Sequence, residues 1–364
     1  MAALRLRGHP RERVEVLCVG LGPAGSSAAA AAASRGWRVV AIDRRREPGR
    51  PVQCAEFVPA LIGSDAGALA HVVEQSITSM LTFVEDDAPD VRANFPGRML
   101  DRARFDAALA ERATAAGASC TFGVAVRDVS HEGLVALSDG RLIEASVLIG
   151  ADGPRSIVGA AIGSVNVDVV ETRQITVALR APHDATDIFL SSAIPGGYGW
   201  LFPKGSVANI GAGVAPEARA RLKRIVDELH RALIDAGRVG ADVLALTGGL
   251  IPVGGMLRAQ GTLGATRVLL AGDAAGLANP VTGAGIAAAV YSGKLAGEAA
   301  AATLAGDAAA GDDYEDELRA VFGNALARAL RRRRELAEAA RDGATPDKAA
   351  QRRGWIAYPQ YWGA

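Results

Sequence analysis

The chain is poor in the residues from which disulfide, metal and membrane-spanning proteins are built. Its 364 residues include three cysteines, Cys18, Cys54 and Cys120. They are far apart, odd in number and form no C-x-x-C pair, so neither a disulfide framework nor a zinc site is indicated, and a reducing cytoplasm fits best. The five histidines are scattered, with no H-x-x-x-H spacing or acidic cluster to suggest a metal. Net charge is also missing: 40 basic residues balance 40 acidic ones, so no nucleic acid or other polyanionic partner is expected. No signal peptide is expected, since Met1–Arg13 is polar and Arg-rich. The longest hydrophobic region, Gly283–Gly306, is mostly alanine and carries Lys294 and Glu298, which predicts a buried helix and not a membrane span. Peripheral membrane contact stays open. No Walker sequence, Ser-His-Asp order or internal repeat is present.

What is present is glycine, in three stretches that each follow a strand-like run. The first, Gly20-Leu21-Gly22-Pro23-Ala24-Gly25, follows the apolar Val14–Val19 and leads into an alanine-rich helix. Gly20 permits a tight turn, Gly22 lets backbone approach a pyrophosphate, and Gly25 allows close helix–strand packing. The helix N-terminus near Pro23 offers free N–H groups and a positive dipole end. An acidic residue is expected about 20 positions further on, ending the second strand. Asp43 supplies it, placed for the ribose hydroxyls of an adenosine, with Arg44 beside it. The second stretch, Gly150-Ala151-Asp152-Gly153, ends the strand-like Ala145–Ile149. The third, Ala271-Gly272-Asp273-Ala274-Ala275-Gly276, follows Arg267–Leu270 and precedes another alanine-rich helix. Together they place most of the chain around one FAD.

The opening βαβ is followed by a helix expected over Pro59–Ala70, a hairpin from Ile77 to Phe95 and an amphipathic helix over Asp101–Ala116. Beyond the middle glycine stretch, Glu171–Arg180, Asp187–Leu190, Gly199–Phe202 and Val207–Val214 alternate like an antiparallel sheet, before a helix expected over Glu217–Ala236. The fold class expected is α/β with an α+β insert. A Rossmann-like FAD-binding domain (1–75, 98–165 and 262–305) is interrupted by an antiparallel-sheet substrate domain (76–97 and 166–261). Residues 306–364 form a C-terminal helical segment and aromatic tail. Arg331-Arg332-Arg333-Arg334 reads as a solvated helical face, and the tail Gly354–Trp362 is aromatic enough to pack over the body.

These residues resemble the para-hydroxybenzoate hydroxylase-type flavoproteins, a fold class shared by aromatic hydroxylases, flavin halogenases and geranylgeranyl reductases. The likeness runs from about Val14 to Thr303. Within the class, Leu269–Ile286 is most similar to the geranylgeranyl reductase family. So are Tyr198-Gly199-Trp200-Leu201-Phe202-Pro203-Lys204, matching Y-x-W-x-F-P-K, and Arg102-Ala103-Arg104-Phe105-Asp106, matching R-x-x-F-D. The resemblance implies that Asp273, after Gly272, binds a ribitol hydroxyl. It implies that the helix N-terminus after Pro280, with Gly283, Ala284 and Gly285, faces the flavin pyrimidine end, where its dipole favours the anionic reduced form. It also places Asp152 and Gly153 near the pyrophosphate, and Arg102 against the FAD.

Cys54 stands where the family carries a C-G-G-like segment beside the isoalloxazine. The cysteine is kept, but the paired glycines are not, and Glu56-Phe57-Val58-Pro59 is closer to the G-E-S-x-x-P segment of halogenases and hydroxylases. The thiol either donates a proton, contacts the cofactor or lines the pocket. Tyr198, Trp200 and Phe202 alternate at strand period and share a face. They form either the aromatic wall of a substrate cavity or core. Cys54 and Tyr198 are the catalytic candidates.

Three chemistries follow. Reduced FAD delivers hydride to a carbon–carbon double bond of an isoprenoid or other apolar substrate, as Y-x-W-x-F-P-K and the late motif favour. Alternatively the protein is a monooxygenase hydroxylating an aromatic compound or a residue of a maturing protein, as Gln53–Pro59 favours. A non-redox isomerase or cyclase is the third reading. A halogenase is disfavoured because no lysine lies near Gln53–Pro59. With no second G-x-G-x-x-G, the electron donor is NAD(P)H or a reduced redox partner.

Overall fold

The run Val14–Val19 lies within the strand Arg11–Val19, which pairs in parallel with Leu142–Gly150 on one side and Val39–Asp43 on the other. Val16, Leu17 and Cys18 are fully buried, as a parallel strand covered on both faces requires. The computed structural model describes residues 11–59, 70–340 and 344–363, and most of the helix expected over Pro59–Ala70 lies outside them. Thr266–Leu270 extends the sheet beyond Leu142–Gly150, and Ser119–Phe122 extends it beyond Val39–Asp43. Gln260–Leu263 closes one edge, and Leu134–Leu137 with Val126–Val129 forms an antiparallel appendage. The three glycine stretches therefore sit at the carboxyl ends of three neighbouring parallel strands, with Asp43 ending a fourth. That crevice is where open α/β sheets bind nucleotides.

The helices, in chain order, are α1 (Pro23–Ala33), α2 (Arg102–Ala115), α3 (Ile157–Ala161), α4 (Leu222–Asp235), α5 (Ile286–Leu304), α6 (Ala310–Ala339), α7 (Lys348–Arg353) and α8 (Pro359–Trp362). Helix α1 packs against both α2 and α5. Its alanines are explained by the α5 crossing: a Cβ on Gly293 would lie 2.0 Å from the Ala24 carbonyl oxygen, and one on Gly297 would lie 2.3 Å from that of Ala28. Only small residues permit so close an approach. The helix expected from Glu217 begins instead as a 3-10 turn, Pro216–Arg221, and becomes α-helical at Leu222.

A second sheet runs in the order Val239–Pro252, Val169–Leu179, Val207–Val214, Gly199–Lys204, Ala185–Leu190, Ser79–Val84 and Asp90–Arg92. One face carries Ile175, Leu201 and Ile210 and is covered by Leu222, Ile225 and Val226 of α4. The other face carries Gln174, Trp200, Phe202 and Asn209. Phe57–Pro59, Gly97–Leu100 and Val73–Ile77 form a small third sheet.

The C-terminal segment folds back on the body, with Trp355, Tyr358 and Tyr361 all buried. Its anchor corrects the reading of Arg331–Arg334 as a solvated face at Arg332, while Arg331 and Arg334 are exposed. Arg332 is buried and donates to the backbone carbonyls of Tyr361 (3.1 Å), Gln360 (3.0 Å) and Gly363 (2.7 Å). A buried guanidinium is tolerated when its donors are met in this way, and Glu335 balances its charge at 2.9 Å.

Candidate active site

The three glycines of the first motif meet different surroundings. Gly20 turns out of its strand at φ +95°, and a Cβ there would lie 2.3 Å from the Ala151 carbonyl oxygen. A Cβ on Gly25 would lie 1.7 Å from the Gly20 carbonyl oxygen. Gly22 has nothing within 4 Å of where its Cβ would be. The protein itself thus demands glycine at positions 20 and 25, whereas the open space over Gly22 fits a bound pyrophosphate. Gly22 caps α1 without a side-chain hydrogen bond, and no acidic residue lies in the first turn. Its N–H groups and dipole are left for an anion.

At the adenosine end, the Asp43 carboxylate is oriented by two backbone N–H groups, Leu21 and Arg45, each at 2.7 Å. Carboxylate lone pairs remain for ribose hydroxyls. Arg44 is exposed. Asp152 accepts from Ser156 Oγ (2.5 Å) and the Ile157 N–H (2.7 Å), so its carboxylate caps the start of α3. Burial raises its pKa, with these bonds pulling the other way. Beside it, Gly153 at φ +84° has open space above it.

At the other end, Asp273 is half-buried next to Gly272, whose N–H donates to Ser292 Oγ at 2.9 Å. Burial pushes the Asp273 carboxyl up to about 6, and the Arg102 guanidinium pulls it back. Arg102 makes a two-pronged ion pair with Asp106 at 3.0 and 3.1 Å. Burial opposes its charge, yet Asp106 and Cys54 together hold it more firmly protonated than usual. In the loop after Pro280, the Asn279 side chain accepts from the Val281 and Thr282 N–H groups, and Gly283 turns at φ +69°. Ala284 and Gly285 lead into α5, whose N-terminus lacks both a side-chain cap and an acidic residue in its first turn. A Cβ on Gly285 would lie 3.2 Å from Asp273 Oδ1. Asp273, Arg102, Cys54 and the α5 N-terminus thus converge. The open cradle over Gly22 and the two uncapped helix ends fit FAD.

The segment carrying Cys54 is strapped across the second sheet. Thr247 donates to the Val52 carbonyl, Gln174 to that of Cys54 at 3.2 Å and Asn209 to that of Ala55 at 3.5 Å. Sequence reasoning missed the clasp at the end of this strap. Buried Glu56 receives both oxygens' hydrogen bonds from Lys204 Nζ at 2.9 Å, one from Asn209 at 3.1 Å and one from the Arg102 N–H at 3.0 Å. Glu56 stands at φ +69°, the left-handed region that glycine favours. The strap thus holds, without a glycine, a backbone turn that glycine adopts readily.

Tyr198, Trp200 and Phe202 do share one face. Trp200 Nε1 donates to Gln174 Oε1 at 3.0 Å, and the Tyr198 hydroxyl donates to the Thr282 carbonyl at 2.6 Å. Burial, reinforced by Cys54, raises the Tyr198 hydroxyl above the ordinary phenol range. Trp200 and Phe202 are buried in one cluster with Trp355 of the aromatic tail, a contact that no local pattern predicts. The Trp355 indole N–H has no hydrogen-bond partner among the described residues.

Residues 13–329 match a family described as FAD binding domain. Over 300 residues the chain is 33% identical to a digeranylgeranylglycerophospholipid reductase of Methanosarcina mazei, covering 75% of this chain and 71% of that one. The structure superposes with a TM-score of 0.81 on a geranylgeranyl bacteriochlorophyll reductase-like protein of Thermoplasma acidophilum, at 25% identity over 97% of this chain and 98% of that one. A myxobacterial chondrochloren halogenase shares the fold, with a TM-score of 0.71 at 20% identity over 93% of this chain and 86% of that one.

Proposed function

Because this chain belongs to the geranylgeranyl reductase family of FAD-dependent oxidoreductases, we propose that it saturates carbon–carbon double bonds of an isoprenoid lipid. The observation that carries the reading is the aromatic strand Tyr198–Phe202, tied through Tyr198 to the loop before α5 and covered by Trp355. Bound and reduced, FAD supplies the hydride. The aromatic cluster receives an apolar chain and excludes water, which keeps the hydride from side reactions. Of the two catalytic candidates, Cys54 is better placed to give the accompanying proton. The Tyr198 proton is already donated to Thr282, so Tyr198 acts as a positioning residue.

We assign Gly20, Gly22, Ala24, Gly25, Asp152 and Gly153 to the pyrophosphate and Asp43 with Arg44 to the adenosine. Arg102, Gly272, Asp273, Pro280, Gly283, Ala284 and Gly285 belong to the ribityl and flavin end. NAD(P)H or a reduced redox partner is the electron source. The departure from C-G-G, which favoured the monooxygenase reading, has a local account: the clasp on Glu56 maintains the turn without glycine. The substrate class is tested by titrating the holoprotein with a geranylgeranyl lipid and following tryptophan fluorescence. Quenching that Trp200→Phe diminishes supports an apolar ligand on this wall. Quenching by a hydrophilic aromatic acid, and none by the lipid, overturns it.

A further inference from the structure

Three buried polar groups without a hydrogen-bond partner among the described residues gather on the face of the second sheet that carries Trp200. They are the hydroxyls of Thr82 and Thr186, both 0% exposed, and the indole N–H of Trp355, 3% exposed. The register of the sheet puts them together. Ile188 lies opposite Trp200 on one side and Thr82 on the other, so these three side chains point the same way. Thr186, two residues before Ile188 and opposite Met80, points with them. Trp355 packs into the cluster that Met80, Ile188, Trp200 and Phe202 form on this face.

Leaving a buried polar group unpaired is costly, and native structures leave few so. Two valines and a phenylalanine would fill the same places without that cost, so packing does not account for three such groups at one spot. An indole N–H can only donate, and a threonine hydroxyl can donate as well, so what completes the group is an acceptor. None of the three carries a charge, and the charges at their margin are already engaged. Asp90, opposite Thr82, accepts from Tyr358 and pairs with Arg352; Arg92, opposite Met80, donates to the Ile356 carbonyl. An anion here would be buried without a cation of its own. The acceptor that fits is an uncharged oxygen.

We infer that Trp355, Thr82 and Thr186 bind an uncharged oxygen of the isoprenoid ligand, a hydroxyl, ether or ester, and so set how far its apolar chain reaches along Tyr198, Trp200 and Phe202. The inference rests on the function proposed above for the isoprenoid and adds the oxygen and its three partners. The segment that covers them can shift to admit it. Among the described residues, 344–363 share no backbone-to-backbone hydrogen bond with the sheet. Side chains make the ties: Lys348 and Arg352 each pair with Asp87 at 2.7 Å, and Arg92 reaches Ile356 at 2.7 Å.

The test is equilibrium binding of geranylgeraniol, of the matching hydrocarbon without oxygen and of geranylgeranyl phosphate to the FAD-loaded protein. The alcohol should bind more tightly than the hydrocarbon. Trp355→Phe, Thr82→Val and Thr186→Val should each weaken the alcohol about two- to tenfold, the worth of one neutral hydrogen bond, and leave the hydrocarbon nearly unchanged. Thermal melts without ligand give a second readout: the two valine variants should melt no lower than the wild type, since each removes an unpaired hydroxyl. Alcohol and hydrocarbon bound alike, or variants that bind the alcohol as the wild type does, overturn the subsite and leave the isoprenoid reading standing. Binding of neither overturns both. Tighter binding of the phosphate than of the alcohol overturns the uncharged oxygen. Valine variants that melt well below the wild type also count against the subsite, because the hydroxyls would then be paired within the protein.

Discussion

Trp355 of the C-terminal segment lies on Tyr198, with ring centroids 4.8 Å apart and planes inclined at 57°. The tail thereby covers the aromatic strand, and Arg332 pins the tail by its backbone carbonyls. Trp355→Ala should lower stability by about 3 kcal/mol, the usual cost of truncating a buried aromatic. It should also raise KM for a polyprenyl lipid while flavin content holds. Thermal melts beside steady-state kinetics check both. A stability loss with KM unchanged would make Trp355 core and nothing more.

Gly22 and Gly25 should respond to alanine in opposite ways. Gly25→Ala forces a Cβ against the Gly20 carbonyl and should prevent folding. Gly22→Ala meets nothing in the protein, so the variant should fold with a near-normal melt and yet bind FAD weakly. Flavin absorbance per protein after gel filtration measures this; full yellow colour in Gly22→Ala would contradict the pyrophosphate assignment.

Asp273 should make FAD binding depend on pH. Its folded value, about 6, lies above the ordinary 3.8, so the folded apoprotein holds this proton more tightly than the unfolded chain. The contribution of this group to apoprotein stability is therefore favourable at low pH and is lost as pH rises from about 4 to about 6. The ionised carboxylate is the better acceptor for a ribitol hydroxyl, so FAD affinity should rise over the same range. Asp273→Asn should abolish that pH dependence and weaken binding by about 1.5–3 kcal/mol. Flavin fluorescence titrations between pH 4.5 and 8 read both effects.

Breaking the Glu56–Lys204 clasp should cost more than its removal. Lys204→Met alone leaves a buried carboxylate without its cation, at a cost of about 3 kcal/mol. Combining it with Glu56→Gln should recover much of that loss. A double-mutant cycle by urea unfolding measures the coupling; additive losses would show that the pair is not a unit.

The parallel sheet was legible because its strands are unbroken apolar runs ending in glycine, and Asp43 stood at the distance such a motif requires. The aromatic face followed from strand alternation. Contacts between distant segments were not legible. Nothing in local pattern ties Glu56 to Lys204, or Trp355 to Tyr198. Arg332 looked solvated because its neighbours are charged, whereas the carbonyls that hold it come from the far end of the chain. Asp152 carried an available signal: Asp152 and Ser156 directly precede the apolar Ile157–Ala161, a helix-start pattern. The small sheet Phe57–Pro59, Gly97–Leu100 and Val73–Ile77, whose last two strands cross the boundaries proposed at 75/76 and 97/98, was not anticipated.

The central claim is reduction, and product mass under anaerobic conditions tests it most directly. The FAD-loaded protein is reduced chemically without oxygen, mixed with a geranylgeranyl lipid, and the product is weighed by mass spectrometry. The account predicts a gain of two hydrogens for every double bond saturated, with air unnecessary. No anaerobic product, together with a gain of one oxygen atom when air and a reductant are supplied, would contradict it.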